Sequence, residues 1–351
     1  MKVLVAMSGG VDSSVAAALM VEAGHEVIGV TLKLWEGPGG AMPTAGCCTV
    51  SDSEDARRVA AQLDIPYYVL NYTDRFKVGV VDRFLDDYLH GRTPNPCIEC
   101  NRTVKFDHLL DQAGEFACDM VVTGHYAQNT YRDGFWRLGR GVDPDKDQSY
   151  VLAMLGQREL EQVQFPVGVQ TKAETREIAA GLGLRTAAKP DSQDICFVGD
   201  GDYRDFVRKH SDEAERPGVL VDTAGTVVGE HEGIINFTVG QRRGLGVTFG
   251  EPRYVVEVKP ESATVVIGQR SDLAVRSIVL DQVTWVIGQP PDRPAVTVQY
   301  RAHGEANPAV FAMEDDQVLV HFDRTQYGIA IGQTAALYDG DEVVGSGIIV
   351  A

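Results

Sequence analysis

The sequence predicts an α/β protein, a doubly wound parallel sheet followed by an all-β C-terminal part. Three observations carry this. Apolar runs of strand length alternate with helix-period segments through about residue 182. Past about residue 215 the texture changes to short Val/Ile/Thr-rich runs punctuated by glycine, as in a small β domain and a barrel. The chain of 351 residues also exceeds what one core usually holds, so two or three domains are expected. The expected division is 1–200, 201–272 and 273–351.

The elements follow in order. Residues 2–7 are an apolar run of strand length, and from Val11 the apolar positions Val15, Ala18 and Leu19 keep a helical period that ends at Gly24. Residues 27–34 read as a second strand. Ser51-x-x-Glu54 reads as a capping box opening a helix through Leu63, and residues 67–70 form a third strand. A helix at about 74–89 precedes a loop of Gly, Thr, Pro and Asn that carries Cys97-x-x-Cys100. Residues 120–124 make a short buried strand, and Thr171-x-x-Glu174 is a second capping box for a helix to about Leu182. In the β part, 263–267, 295–300, 318–322 and 343–350 read as strands. The Pro-rich stretch 288–294 is a loop within that part.

Composition narrows the function classes. No uncharged apolar stretch reaches membrane-spanning length, and the N-terminus enters a strand without a basic or Arg/Ser-rich leader, so a cytoplasmic address is expected. The net charge is −18, divided as −9 in residues 1–200 and −9 in 201–351. Neither half is a basic nucleic-acid module. Six cysteines are too few for a disulfide scaffold, and their clustering at Cys47-Cys48 and Cys97-x-x-Cys100 points to metal or thiol chemistry.

Between the first strand and first helix lies Ser8-Gly9-Gly10-Val11-Asp12-Ser13-Ser14. Glycines let the backbone approach an anion, the helix start offers N–H groups, and the serines add hydroxyls. The Walker pattern is absent and the loop has no lysine, which disfavours simple γ-phosphate hydrolysis. The loop instead resembles that of the adenylating PP-loop ATPases (adenine nucleotide α-hydrolase-like), whose SGGxDS signature is matched at residues 8–13. That resemblance implies ATP cleavage between the α and β phosphates, with Mg²⁺, and pyrophosphate departing in the loop.

Five further stretches select among such enzymes. They are Thr93-Pro94-Asn95-Pro96-Cys97-Ile98-Glu99-Cys100-Asn101, Gly124-His125-Tyr126, Lys146-Asp147-Gln148-Ser149-Tyr150, Asp191-Ser192-Gln193-Asp194-Ile195-Cys196-Phe197 and Gly240-Gln241-Arg242-Arg243-Gly244-Leu245-Gly246. Together they resemble the tRNA-specific 2-thiouridylases along the whole chain, more loosely in the last hundred residues. The resemblance implies that ATP adenylates the C2 oxygen of wobble uridine U34 in the tRNA anticodon stem-loop. Sulfur from a persulfide, delivered by a cysteine desulfurase or sulfur carrier, then replaces it. Residues 1–200 would be the PP-loop catalytic domain, 201–272 a small tRNA-contacting domain and 273–351 the barrel. No membrane partner is implied.

By the same resemblance Cys196 would carry the persulfide and Cys100 would be its partner thiol, with a transient Cys100–Cys196 disulfide. Ala6, Met7, Ser8, Gly9, Gly10, Val11, Asp12, Ser13, Leu32 and Gly124 would line the ATP site. Asn95, Pro96 and Cys97 would lie against the target base. His125, Lys146, Asp147, Gln148, Arg242, Arg243, Arg301 and Gln333 would contact tRNA. Read without the resemblance, Cys196 and Leu32 are core residues, Lys146-Asp147-Gln148 is a helix-capping turn, and the two arginines are a solvated hairpin tip. Cys118, outside every motif, reads as core.

Cys97 departs from a common family loop that has Asp there. With Cys100 and Cys196 it makes three soft ligands, so an iron–sulfur cluster or Zn²⁺ stands as an alternative to the favoured simple dithiol without metal. Two other functions remain open: a PP-loop adenylating synthetase acting on a small metabolite, and a non-catalytic sulfur or metal carrier.

Overall fold

Val3, Val5 and Met7 face one side of the first strand and Leu4 the other, and each side meets its own core. The computed structural model describes residues 1–36, 49–191, 195–198 and 201–351, so Cys47 and Cys48 lie outside the described residues. The strands are β1 (Lys2–Ala6), β2 (Glu26–Lys33), β3 (Tyr67–Asn71) and β4 (Met120–Val122). Next, β5 (Ala127–Arg132) and β6 (Phe135–Arg140) leave as a hairpin, and β7 (Val163–Gln164) returns. The parallel sheet runs β3-β2-β1-β4-β7, as the alternating strand and helix signals require.

Helices α1 (Val11–Glu22) and α2 (Val50–Gln62) cover the Val3 face through Val15, Ala16, Met20, Ala56 and Val59. Phe76, Phe84, Val104 and Leu109 cover the Leu4 face. The helical region from Thr73 to Leu89 contains a π-helical stretch, Lys77–Val81, and a second one, Asn101–Phe106, follows Cys100. The two touch where Gly79 would bring a Cβ to 2.9 Å from Thr103 Oγ1.

The second capping box forms as expected: Thr171 Oγ1 accepts from Glu174 N, and the helix runs Lys172–Gly181. The first is displaced by two residues. Thr49, not Ser51, caps α2, because the Asp52 carboxylate accepts from both Thr49 N (2.9 Å) and Thr49 Oγ1 (2.7 Å). Ser51 and Glu54 fall within the helix.

The β part holds two assemblies. Strands β8 (Gly218–Asp222), β9 (Val227–His231), β10 (Tyr254–Lys259) and β11 (Thr264–Gly268) form a sheet ordered β10-β11-β8-β9 over Leu220, Val255, Val265 and Ile267. Strands β12 (Ala274–Trp285), β13 (Ala295–Gln299), β14 (Asn307–Glu314), β15 (Gln317–Tyr327), β16 (Thr334–Asp339) and β17 (Glu342–Ile349) form an antiparallel barrel. The β12–β17 pairing closes it and leaves no open edge.

The β5–β6 hairpin ties the two ends of the chain together. Asp133 and Gly134 turn it with φ of 53° and 83°, the positive values a tight hairpin turn needs. Its second strand pairs with β17, Leu138 opposite Val343, and Arg132 and Arg137 both donate to Glu342, at 2.7 and 2.5 Å.

Candidate active site

The glycine loop is fixed from both sides. Met7 N donates to Val30 O at 2.7 Å, and Thr31 Oγ1 donates to Met7 O at 2.5 Å. Ser8 N donates to Ser13 Oγ at 3.1 Å, and Ser14 Oγ donates to Gly10 O at 2.7 Å. Gly9 has φ 74°, and a Cβ there would stand 2.1 Å from Asp52 O. At the end of β4, a Cβ on Gly124 would stand 2.6 Å from Ser13 N. Only glycine permits both approaches. Gly10 caps α1 in extended conformation, and among the described residues no side chain caps it, so the cap leaves the first N–H groups of α1 without a side-chain acceptor.

The charge that the loop lacks arrives from elsewhere. Lys172 Nζ lies 2.7 and 2.9 Å from the Asp12 carboxylate oxygens and 2.7 Å from Asp191 Oδ1. Lys189 Nζ lies 2.9 Å from Gly9 O, 2.7 Å from Asp52 Oδ1 and 2.8 Å from Asp55 Oδ2. Lys146 donates to Asp191 at 2.8 Å, and Tyr126 Oη donates to Asp12 at 2.8 Å. Burial would raise the Asp52 and Asp191 carboxyls, yet the lysines (and Thr49 for Asp52) hold both below the usual carboxylate range. Burial works against charge on Lys189 as well, but Asp52 and Asp55 keep it raised. Lys172, Lys189, Tyr126 and Asp52 were not expected as site residues. No local motif announces Lys172, Lys189 or Asp52, which converge only through tertiary folding, whereas Tyr126 lies in the Gly124-His125-Tyr126 stretch.

The cysteines sit on a second feature. Pro96 opens the short helix Pro96–Cys100, and Asn95 Oδ1 accepts from Ile98 N at 3.2 Å to cap it. Cys97 is exposed and Cys100 buried. Between them, buried Glu99 accepts from Arg102 at 2.6 and 2.7 Å and pairs with Arg83 at 3.1 Å, fixing the turn. Cys100 belongs to the apolar cluster that also contains Leu32, and half-buried Cys196 packs against that same cluster beside Phe197. Phe197 meets Phe84 edge-on at 5.1 Å. Among the described residues no three His, Cys, Asp or Glu side chains are grouped to hold a metal, so Cys97, Cys100 and Cys196 do not assemble the ligand set considered above.

The residues expected near tRNA divide. His125 stands between Phe106 and Phe165, its Nδ1 2.7 Å from Thr123 Oγ1. Burial first, and the Lys105 charge second, push its pKa down to about 3, so it is neutral at physiological pH. Asp147 turns inward, accepting from Gly141 N, Ser149 N, Ser149 Oγ and Arg140. Gln148 Oε1 accepts from Tyr126 N. Arg242 and Arg243 are exposed and, with Tyr203, Arg204, Thr238 and Gln241, line a cavity of about 520 Å³. Arg301 donates to Gly328 O at 2.5 Å and lies over the Tyr300 ring, and Gln333 faces Ala330 N at 3.4 Å.

A parallel sheet ending in an SGGxDS loop, joined to a small β domain and a closed barrel, defines a PP-loop α/β protein with two β appendages. Family models match all three parts: tRNA methyl transferase HUP domain at 1–200, tRNA methyl transferase PRC-barrel domain at 204–269, and aminomethyltransferase beta-barrel domain at 275–349. The chain is 44% identical to the tRNA-specific 2-thiouridylase MnmA of Clostridioides difficile (strain 630), over 99% of this chain and 98% of that one. It is 48% identical to the protein of that name from Chloroflexus aurantiacus (strain ATCC 29366 / DSM 635 / J-10-fl), with the same coverage. For Acidothermus cellulolyticus (strain ATCC 43068 / DSM 8971 / 11B) the identity is 49%, covering 99% and 97%. The chain belongs to the tRNA-specific 2-thiouridylase family.

Proposed function

We infer that this protein places sulfur on C2 of the wobble uridine of tRNA, consuming ATP. The observation that carries the reading is the loop at residues 8–14 with two distant lysines turned onto it, in a chain of this family. Methyl transfer, the wording of two of the domain models, accounts for neither the ATP-type loop nor the cysteine turn.

In the first step the C2 oxygen bonds to the α-phosphorus of ATP, the α–β bond breaks, and pyrophosphate leaves. The α1 N–H groups and the Ser8 and Ser13 hydroxyls receive its charge, and Lys172 and Lys189 exchange carboxylate partners for phosphate oxygens. Asp12 and Asp191 share one lysine, and one or two carboxylates are the protein share of an ordinary Mg²⁺–phosphate site, so this pair fits that ion. Asp12 and Asp191 would hold Mg²⁺ there, and it would neutralise charge on the departing phosphates.

In the second step the outer sulfur of a Cys196 persulfide forms the bond to C2, and the C–O bond breaks with loss of AMP. Cys100 attacks the inner sulfur, the S–S electron pair passes to the outer sulfur, and a Cys100–Cys196 disulfide remains for an external thiol to reduce. The persulfide donor is a desulfurase or sulfur carrier. Asn95, Pro96 and Cys97 border the base. The exposed arginines at 242 and 243 meet phosphate, while Asp147 and Gln148 shape the turn beneath. The three parts at 1–200, 201–272 and 273–351 then serve chemistry, tRNA contact and support.

The experiment incubates the protein with ATP, Mg²⁺, a cysteine persulfide and unmodified tRNA, and reads 2-thiouridine in digested nucleosides by mass spectrometry. Cys100→Ser and Cys196→Ser should abolish the product and keep pyrophosphate release. Product formed by both variants would transfer the chemistry to other residues. ATP turnover without any 2-thiouridine would favour a small-metabolite synthetase.

A further inference from the structure

The cysteine turn is held from outside its own domain. Tyr150 is buried, and its hydroxyl donates to Thr334 O, on barrel strand β16, at 2.8 Å. The Asn95 side chain lies beside the same hydroxyl. One residue along, Val151 O accepts from Asn101 Nδ2 at 2.9 Å, just past Cys100. Thus the Ser149–Leu152 helix grips both ends of the turn.

A second link is independent of the first. Thr93 N donates to Ile331 O, in the barrel loop before β16, at 2.8 Å. Gly332 has φ 90°, and a Cβ there would stand 2.9 Å from Arg92 Cβ and 3.1 Å from Thr93 N. The loop at 331–334 therefore touches the chain both before the cysteine turn and, through Tyr150, at its cap.

We propose that Tyr150 and the barrel loop 331–334 form a brace that sets the position of Cys100, so that the C-terminal barrel acts in the sulfur-transfer step and not only in supporting tRNA. The catalytic role of Cys100 here rests on the thiolation reading above. Tyr150 is a positioning residue, acting through Asn95. A hydrogen-bonded cap fixes the start of a short helix, and a small displacement of a reacting sulfur lowers a rate steeply. Adenylation takes place at the loop at residues 8–14 and meets the brace only through the side of the turn that borders the base, so it depends on the brace less than sulfur transfer does.

Tyr150→Phe keeps the ring in place and removes the hydroxyl, and Gly332→Ala presses on Arg92 from the other domain. Each full-length variant is assayed with ATP, Mg²⁺, a cysteine persulfide and unmodified tRNA, after circular dichroism shows it folded. The expected result in both is 2-thiouridine kcat lowered by about 10-fold or more, with pyrophosphate release lowered by no more than about threefold. Iodoacetamide labelling of Cys100, read by peptide mass spectrometry, supplies a measure independent of activity, and its rate should rise by about 10-fold as the turn loosens. Unchanged labelling, or pyrophosphate release falling in step with 2-thiouridine, overturns the brace. If the parent makes no 2-thiouridine, the thiolation reading fails by itself and the labelling result still decides the brace.

Discussion

Lys172 Nζ stands 2.7 Å from Asp12 Oδ1, joining the first turn of α1 to a helix that begins 160 residues later. The pair is largely screened from water, with side-chain exposures of 11% and 29%. A loop proposed to receive the charge of ATP phosphates is thus held ready by an internal counterion, and the lysine is available to any stronger anion. Lys172→Met should lower the rate of tRNA-dependent pyrophosphate release by about 100-fold. Lys172→Arg should recover part of it, with the ATP KM as the accompanying readout.

Gly9 and Gly24 separate backbone strain from collision. Both have positive φ, 74° and 77°, but a Cβ on Gly9 strikes Asp52 O while one on Gly24 meets nothing within 4 Å. Gly24→Ala should destabilise by about 1 kcal/mol. Gly9→Ala should cost about 3 kcal/mol or more and abolish ATP protection of the N-terminal domain in limited proteolysis.

His125 makes stability depend on mild acid. Its folded pKa is about 3, against 6.5 ordinarily, so between those values the unfolded chain binds a proton that the folded chain does not. Stability therefore falls as pH drops below 6.5, with a limiting slope of about 1.4 kcal/mol per pH unit. His125→Gln should flatten the urea midpoint between pH 7 and pH 5 relative to the parent. Equal slopes would remove His125 as the cause.

Arg242 and Arg243 are the proposed phosphate contact of a protein whose net charge is −18. Arg242→Ala with Arg243→Ala should weaken tRNA binding and reduce the slope of log K against log salt by about 1 to 2. A filter-binding titration measures it, and an unchanged slope would move the phosphate contact elsewhere.

Much of this was legible before folding. The alternating apolar residues of β1, the glycines after it and the helical period of α1 specify a strand–loop–helix locally, and the Thr171 cap forms where its spacing says. The α2 cap was misread because Thr49 and Ser51 both precede an acidic residue by three, and only the fold shows which carboxylate turns back. The β5–β6 hairpin carries a local signal of its own, Asp133-Gly134 between alternating strands, that needs no tertiary information. Lys172 and Lys189 were not readable at all. A lysine two residues before a glutamate, or one before a proline, has no local mark of a site more than a hundred residues away.

The pairing of Leu138 with Val343 also bears on how the polypeptide matures. Arg137 meets Glu342 across 205 residues, so at ordinary ribosomal speeds the hairpin waits roughly 10–40 s for the strand that covers its edge. During translation the β6 edge that β17 will cover has no strand partner. The first domain thus completes its own outline only when nearly the last strand has been made.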